Sequence, residues 1–269
     1  MEATAELFAE GFRGPYGVAF DMDENLLVGE RQSGCVQKIA PDGHKSLFIQ
    51  LNGQPCDLKV DDSNDLFVAL INRHQLSIVS PEQEVAVYAH SCHGRRFAGP
   101  HSLCFDPDGN LLFSDADGCL YSADLDGEVE EYVKGLDGPE GMIFSEDAGT
   151  LYVAESGKNR IVSFELDDDG NPGPAEEFHA FDGGGPPHAL LFDSEGTLYV
   201  SREGVGISLL DPDANPLTDI ALPGAAAAGM CFGGLDYNEL FVAEHSGGGI
   251  YRIALEHAGQ RPFAGPRAI

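Results

Sequence analysis

Three residues able to do acid–base or metal chemistry, His101, Glu140 and His188, stand at the same place in three successive copies of one pattern. An apolar stretch of the type "GVAFD" is followed by a turn and a second apolar stretch of the type "NLLVGE". The copies read "YGVAFDMDENLLVGE", "CDLKVDDSNDLFVAL", "HSLCFDPDGNLLFSD", "EGMIFSEDAGTLYVAE", "HALLFDSEGTLYVSR" and "AGMCFGGLDYNELFVAE". Their equivalent positions are Phe20, Val60, Phe105, Phe144, Phe192 and Phe232, spaced by 40, 45, 39, 48 and 40 residues. Four residues before each lies Tyr16, Cys56, His101, Glu140, His188 or Ala228, and the next position adds Asp57 and Ser102 in two copies.

A repeat built only for packing would place small or apolar residues at all six positions. Two imidazoles and a carboxylate there are the donor set of a divalent-metal site with positions left for water or substrate. Imidazole ligands favour Zn, Mn or Fe over Ca, which prefers oxygen donors. Such a metal would polarise a carbonyl and lower the pKa of bound water. On this reading His101, Glu140 and His188 hold the metal, while Asp57, Tyr16 and Glu140 are the catalytic candidates. Without a metal, the same Glu140, His101 and His188 would act as general acid and base in an isomerase or lyase. A third reading is a non-catalytic fold that binds a small ligand or a protein partner.

The segment "HSCHGRRF" brings Arg95 and Arg96 together in a strongly acidic chain, where they would capture an anionic substrate group or pair with surface acids. Cys56 and Ser102 complete the candidate substrate-binding set. Cys56 could equally pack in the core, and Ser102 and Asp57 could equally satisfy backbone groups. The stretches after each second strand add Arg31, Arg73, Asp115, Arg202 and Glu244, read as mostly solvated loop residues.

The elements that must position these residues follow from the same repeat. Each copy continues into a third strand such as "CLYSADL" and usually a fourth such as "EVEEYVKG". Four strands in roughly 40 to 45 residues is the period of a propeller blade. Parallel βαβ units would need amphipathic helical connections, and none is long enough. The expectation is all-β: a single six-bladed propeller domain over residues 1–269, four antiparallel strands per blade. The last copy lacks a clear fourth strand, and "AELFAE" at residues 5–10 is expected to supply it and close the ring, with "QRPFA" at 260–264 as the rival. In a propeller the starts of the first strands line the mouth of the axial channel, so the six equivalent positions are expected there.

With 45 acidic and 15 basic residues the formal charge is −30, which argues against nucleic acid and anionic membranes as partners. A salt-rich source and an acidic surface kept for solubility explain that charge equally well. No apolar run approaches the length of a membrane span, and "MEATAELFAEG" lacks the pattern of a signal peptide, so a cytoplasmic location is expected. The six cysteines form no CxxC pair and are expected to remain thiols.

The stretches "GPHSLCFDPDGNLLFSDADG", "GPEGMIFSEDAGTLYVAESGKNRIVSFEL", "GTLYVSREG" and "FGGLDYNELFVAEHSGGGIYRI" resemble the regucalcin/gluconolactonase-like propellers, the senescence-marker or lactonase-like group, over essentially the whole chain. The resemblance implies a six-bladed propeller, an axial divalent cation, often calcium, and chiefly lactone hydrolysis, with phosphotriester hydrolysis in a related branch. That family holds its cation with a first-blade Glu, Asn residues in middle blades and an Asp in the fifth. Here Tyr16, His101, Glu140 and His188 stand at those positions instead. Locally, "GPHSL" and "PPHAL" are similar to the histidine-bearing NHL-repeat propellers of an amidating lyase, whose "PH" supplies zinc ligands. Together these imply a metal-dependent, lactonase-type hydrolase of a small cyclic ester.

Overall fold

The computed structural model describes residues 3–224 and 226–263. It is all-β, a six-bladed propeller in which each blade is a four-stranded antiparallel sheet, and in the first five blades the strands follow chain order from the inside outwards. The innermost strands are Pro15–Phe20, Pro55–Val60, Pro100–Phe105, Pro139–Phe144, Pro187–Phe192 and Ala227–Gly233. Five of the six begin on proline, at a strand start where a ladder donor is dispensable.

Four of the six hairpins joining first to second strands, at Asp21, Asp61, Asp106 and Asp193, are built by one device. The Asp106 carboxylate accepts the backbone N–H of Asp108 and of Asn110 and the Asn110 side-chain amide. Asp21 with Asn25 and Asp193 with Thr197 repeat the backbone part of this turn. Gly109 takes the left-handed conformation, φ 89°, that the Asp106 turn requires.

Second strands such as Leu26–Glu30, Leu66–Leu70, Leu111–Asp115 and Leu198–Arg202 are buried along their whole length, which is why they read as continuous apolar runs. Outer strands such as Lys45–Gln50 and Pro216–Ile220 are largely exposed.

The final blade is completed by the amino-terminal strand, Ala5–Glu10, paired antiparallel with Gly249–Ala254. Phe8 packs edge-on against Phe241 at 5.1 Å, and Arg252 reaches Glu6 and Glu239. Gly259 and Gln260 run instead along the fifth blade, where the Gln260 N–H bonds Phe192 O. Ala264, the end of the rival segment, lies outside the described residues.

By contact density the chain groups into two compact units. One holds the first three blades, Tyr16–Pro139, together with Pro262 and Phe263. In it Leu27, Val36, Leu58 and Val68 pack between blades one and two, and Phe67, Leu103, Phe105 and Phe113 between blades two and three. The other holds residues 3–15 with Glu140–Arg261. There Ile161, Leu190 and Phe192 join blades four and five, and Ile207, Met230 and Val242 join five and six. Each such side chain, withdrawn from water, contributes about 1.5–3 kcal/mol. Among the described residues no helix is long and apolar enough to cross a membrane.

Candidate active site

The six equivalent positions identified from the repeat are the second residues of the innermost strands, and in several blades the sheet register breaks there. Pro100 pairs with Asp115 and Leu103 with Phe113, leaving one extra residue on the inner strand around His101 and Ser102. The same irregularity spans His188 and Ala189, Ala228 and Gly229, and Cys56. A bulge re-aims the side chain it carries and leaves an amide outside the ladder. In the two histidine-bearing blades a serine on the neighbouring strand accepts that amide: Ser102 N–H bonds Ser114 Oγ, and Ala189 N–H bonds Ser201 Oγ. Both serines are fully buried. The sequence reading missed them, although their signal is visible: "LLFSD" and "LYVSR" carry serine where the other copies have glycine or alanine.

In the unit of blades four to six, Glu140 and His188 meet. The His188 Nδ1 lies 2.5 Å from Glu140 Oε2, and both side chains are more than four-fifths buried. Gly141 permits the approach of the two strands, for a Cβ there would run into the His188 carbonyl oxygen and lie 2.8 Å from the Ala189 Cα.

In the unit of blades one to three, His101 packs edge-on against Tyr16 with ring centroids 5.5 Å apart, and the Arg31 guanidinium carbon sits 4.4 Å over the Tyr16 ring. Asp57 is heavily engaged. Its Oδ2 accepts from Ser102 Oγ at 3.0 Å and Leu103 N–H at 2.9 Å, its Oδ1 accepts from Leu58 N–H at 2.8 Å, and Lys59 Nζ lies 3.2 Å away. The carboxylate thus ties the second inner strand to the bulge of the third. Cys56 is buried in the core of blades two and three.

The "HSCHGRRF" segment forms a short hairpin, Ser91–Cys92 paired with Arg95–Arg96. Arg95 is bound to Asp117 at 2.7 Å, and Arg96 donates to the Arg73 carbonyl oxygen at 3.4 Å. Both arginines are exposed.

In five of the six blades the last residue of the second strand is a buried polar brace, the second blade having Leu70 there. Asp115 accepts N–H from Ala98, Gly99 and Asp117. Glu155 binds Lys158 and Arg160, Glu244 accepts the Gly247 N–H, and Arg202 donates to Gly185 O and stacks on Phe181. Burial raises the Asp115 pKa above the ordinary carboxylate range, although its backbone donors pull the other way. Burial likewise lowers that of Arg202. The expectation of solvated loop residues therefore fails for Asp115, Arg202 and Glu244, because each carries the hydrogen bonds that shape its loop.

A metal ion held by this donor set would need at least three ligands to converge on it. Among the described residues no three His, Cys, Asp or Glu side chains converge to hold one. The Glu140–His188 bond engages Oε2 and Nδ1, a pairing that also occurs behind metal-ligating histidines, so the misfit lies in His101, Glu140 and His188 not being brought together as one ligand set.

Comparison with known proteins gives a consistent picture. The family model described as SMP-30/Gluconolactonase/LRE-like region matches residues 61–246. Lactonase drp35 of Staphylococcus haemolyticus is 26% identical over 234 residues, covering 77% of this chain and 69% of that protein. A gluconolactonase of Zymomonas mobilis is 26% identical over 261 residues, covering 82% and 73%. Among solved structures, a gluconolactonase from Xanthomonas campestris superposes with a TM-score of 0.86 at 21% identity, over 94% of this chain and 90% of that one.

Proposed function

Because the chain belongs to the SMP-30/gluconolactonase family, we propose that it is a lactonase-type hydrolase that opens a small cyclic ester. The observation that carries the chemistry is the Glu140–His188 hydrogen bond. A carboxylate at Nδ1 selects the tautomer with its proton there and places the lone pair on Nε2. In the proposed reaction Nε2 removes a proton from water as its oxygen attacks the lactone carbonyl carbon. The tetrahedral intermediate then collapses, the ring C–O bond breaks, and the departing alkoxide takes the proton back from Nε2. The Glu140 carboxylate balances the positive charge carried by the imidazole between the two steps. The ligand is a small molecule, and nothing in this reading calls on nucleic acid or a membrane.

A metal-assisted form, with His101, Glu140 and His188 as ligands and Zn, Mn or Fe preferred, requires those three to converge, which they do not do among the described residues, so the acid–base form is preferred. The same dyad would serve a metal-free lyase or isomerase by removing a proton from carbon in place of water.

The test is a panel of aldonolactones followed by acid release, with wild type, Glu140→Gln and His188→Gln. Lactone opening in wild type that falls about 10²–10⁴-fold in both variants, with unchanged melting temperature, supports the dyad. Product that carries no oxygen from labelled water would move the reading to the lyase. Loss of activity on chelation, restored by one metal, would move it to the metal-assisted form. Equal activity in all three proteins would remove the dyad altogether.

A further inference from the structure

The chain has three acidic residues for every basic one, and several of its basic side chains are paired with carboxylates. Lys59 pairs with Asp57, Arg95 with Asp117, and Lys158 and Arg160 with Glu155. Arg31, like Lys38 and Arg73, makes no side-chain hydrogen bond or ion pair with any described residue, but unlike those two it lies over an aromatic ring, the face of Tyr16. The neighbouring Glu30 carboxylate is directed to the Ser33 hydroxyl and the Cys35 thiol. Arg261 also lies on a tyrosine ring, that of Tyr237, but it is exposed, whereas Arg31 is half-buried.

A guanidinium has five N–H donors and no acceptor. Stacking on an aromatic ring fixes its plane and occupies one face, leaving its edge N–H groups to meet an oxyanion side by side. Tyr16 is held in turn by the His101 ring, so the platform is braced by a second imidazole-bearing strand. Partial burial strengthens whatever charge pairing the edge makes.

We propose that Arg31, mounted on Tyr16 beside His101, is a binding site for the oxyanion group of a small molecule: a carboxylate, sulfonate or phosphate. The planar fork favours the carboxylate, because two parallel N–H···O bonds fit its two oxygens. This places anion recognition on Arg31, where the sequence pointed to Arg95 and Arg96. Those two already have partners in Asp117 and the Arg73 carbonyl. The site is independent of the lactonase reading and stands or falls on binding alone.

Isothermal titration calorimetry of the full chain with sodium glucuronate, neutral glucose and inorganic phosphate tests it, on wild type, Arg31→Gln, Arg31→Lys, Tyr16→Phe and Tyr16→Leu. Glucuronate is expected to bind wild type at least tenfold more tightly than Arg31→Gln, with Arg31→Lys in between. Tyr16→Phe should bind like wild type, and Tyr16→Leu should lose affinity severalfold because the platform is gone. Phosphate tighter than glucuronate, with the same dependence on Arg31, would support the site and assign it to tetrahedral anions. Glucose binding as well as glucuronate, or glucuronate and phosphate both insensitive to Arg31→Gln, would overturn the proposal, as would no binding of either anion to wild type. Melting curves of the variants separate loss of the site from loss of the fold.

Discussion

Asp57 and Glu140 are both carboxylates on innermost strands, yet their surroundings give them different work. Glu140 meets an imidazole, which can take and return a proton. Asp57 meets two backbone amides, a hydroxyl and an ammonium, all donors, and so is held as an acceptor. We therefore read Asp57 as a positioning residue for the strand that carries His101. Its replacement by alanine orphans the Leu58 and Leu103 amides and should cost about 2–4 kcal/mol. Denaturant titration should show that loss, with Asp57→Asn recovering part of it. A fold unchanged in stability but inactive would instead return Asp57 to the proton-transfer role the sequence suggested. Repeat equivalence made the matching inner-strand positions of His101, Glu140 and His188 legible, but not that Glu140 bonds His188 while His101 packs on Tyr16. The partners of Asp57 and the seat of Arg31 were not legible. Both depend on how closely neighbouring strands and loops approach, which spacing along one chain does not encode.

At the scale of elements, the blade repeat and the closing strand Ala5–Glu10 were readable because alternation, turn chemistry and period all agree. The inner-strand bulges were not, since one extra residue in the register leaves the spacing between copies unremarkable. Their consequence is testable at Gly141. A methyl group there would run into the His188 carbonyl oxygen and meet the Ala189 Cα at 2.8 Å, both backbone atoms that cannot rotate away. Gly141→Ala should therefore lower stability by about 1–3 kcal/mol and lower lactone opening more than Ala148→Gly, a turn change in the same blade. Equal effects would show that the strand separation does not set the dyad. The brace at Asp115 predicts a pH dependence. Its folded-state pKa is raised by burial above the reference 3.8, so the ionised form is disfavoured in the fold. Its favourable contribution is complete below 3.8 and is lost as pH rises through the raised value. Relative to Asp115→Asn, wild type should thus lose stability over that window, read by denaturant midpoints at stepped pH. A wild type that instead gains on Asp115→Asn as pH rises would reverse the assignment.

At the scale of the whole molecule, the charge of −30 acts on every element at once. The carboxylates that shape turns and brace loops are locally satisfied by N–H donors, as at Asp106, Asp193 and Glu244, so they do not need cations to hold their geometry. Their mutual repulsion remains, and it is relieved on unfolding as the charges separate. Added salt screens it, the Debye length falling from about 30 Å at 0.01 M to about 8 Å at 0.15 M. The melting temperature should therefore climb steeply over the first few tenths molar of sodium chloride and flatten beyond. Screening is largely complete by then, whereas salting-out of apolar surface would keep rising with concentration. Exposed ion pairs such as Arg252–Glu6 pull the other way, but pairs of this kind contribute at most about 1 kcal/mol each. A melting temperature independent of sodium chloride in this range would mean that the turns and braces have already offset the repulsion. A falling one would mean that the ion pairs, few as they are, outweigh it.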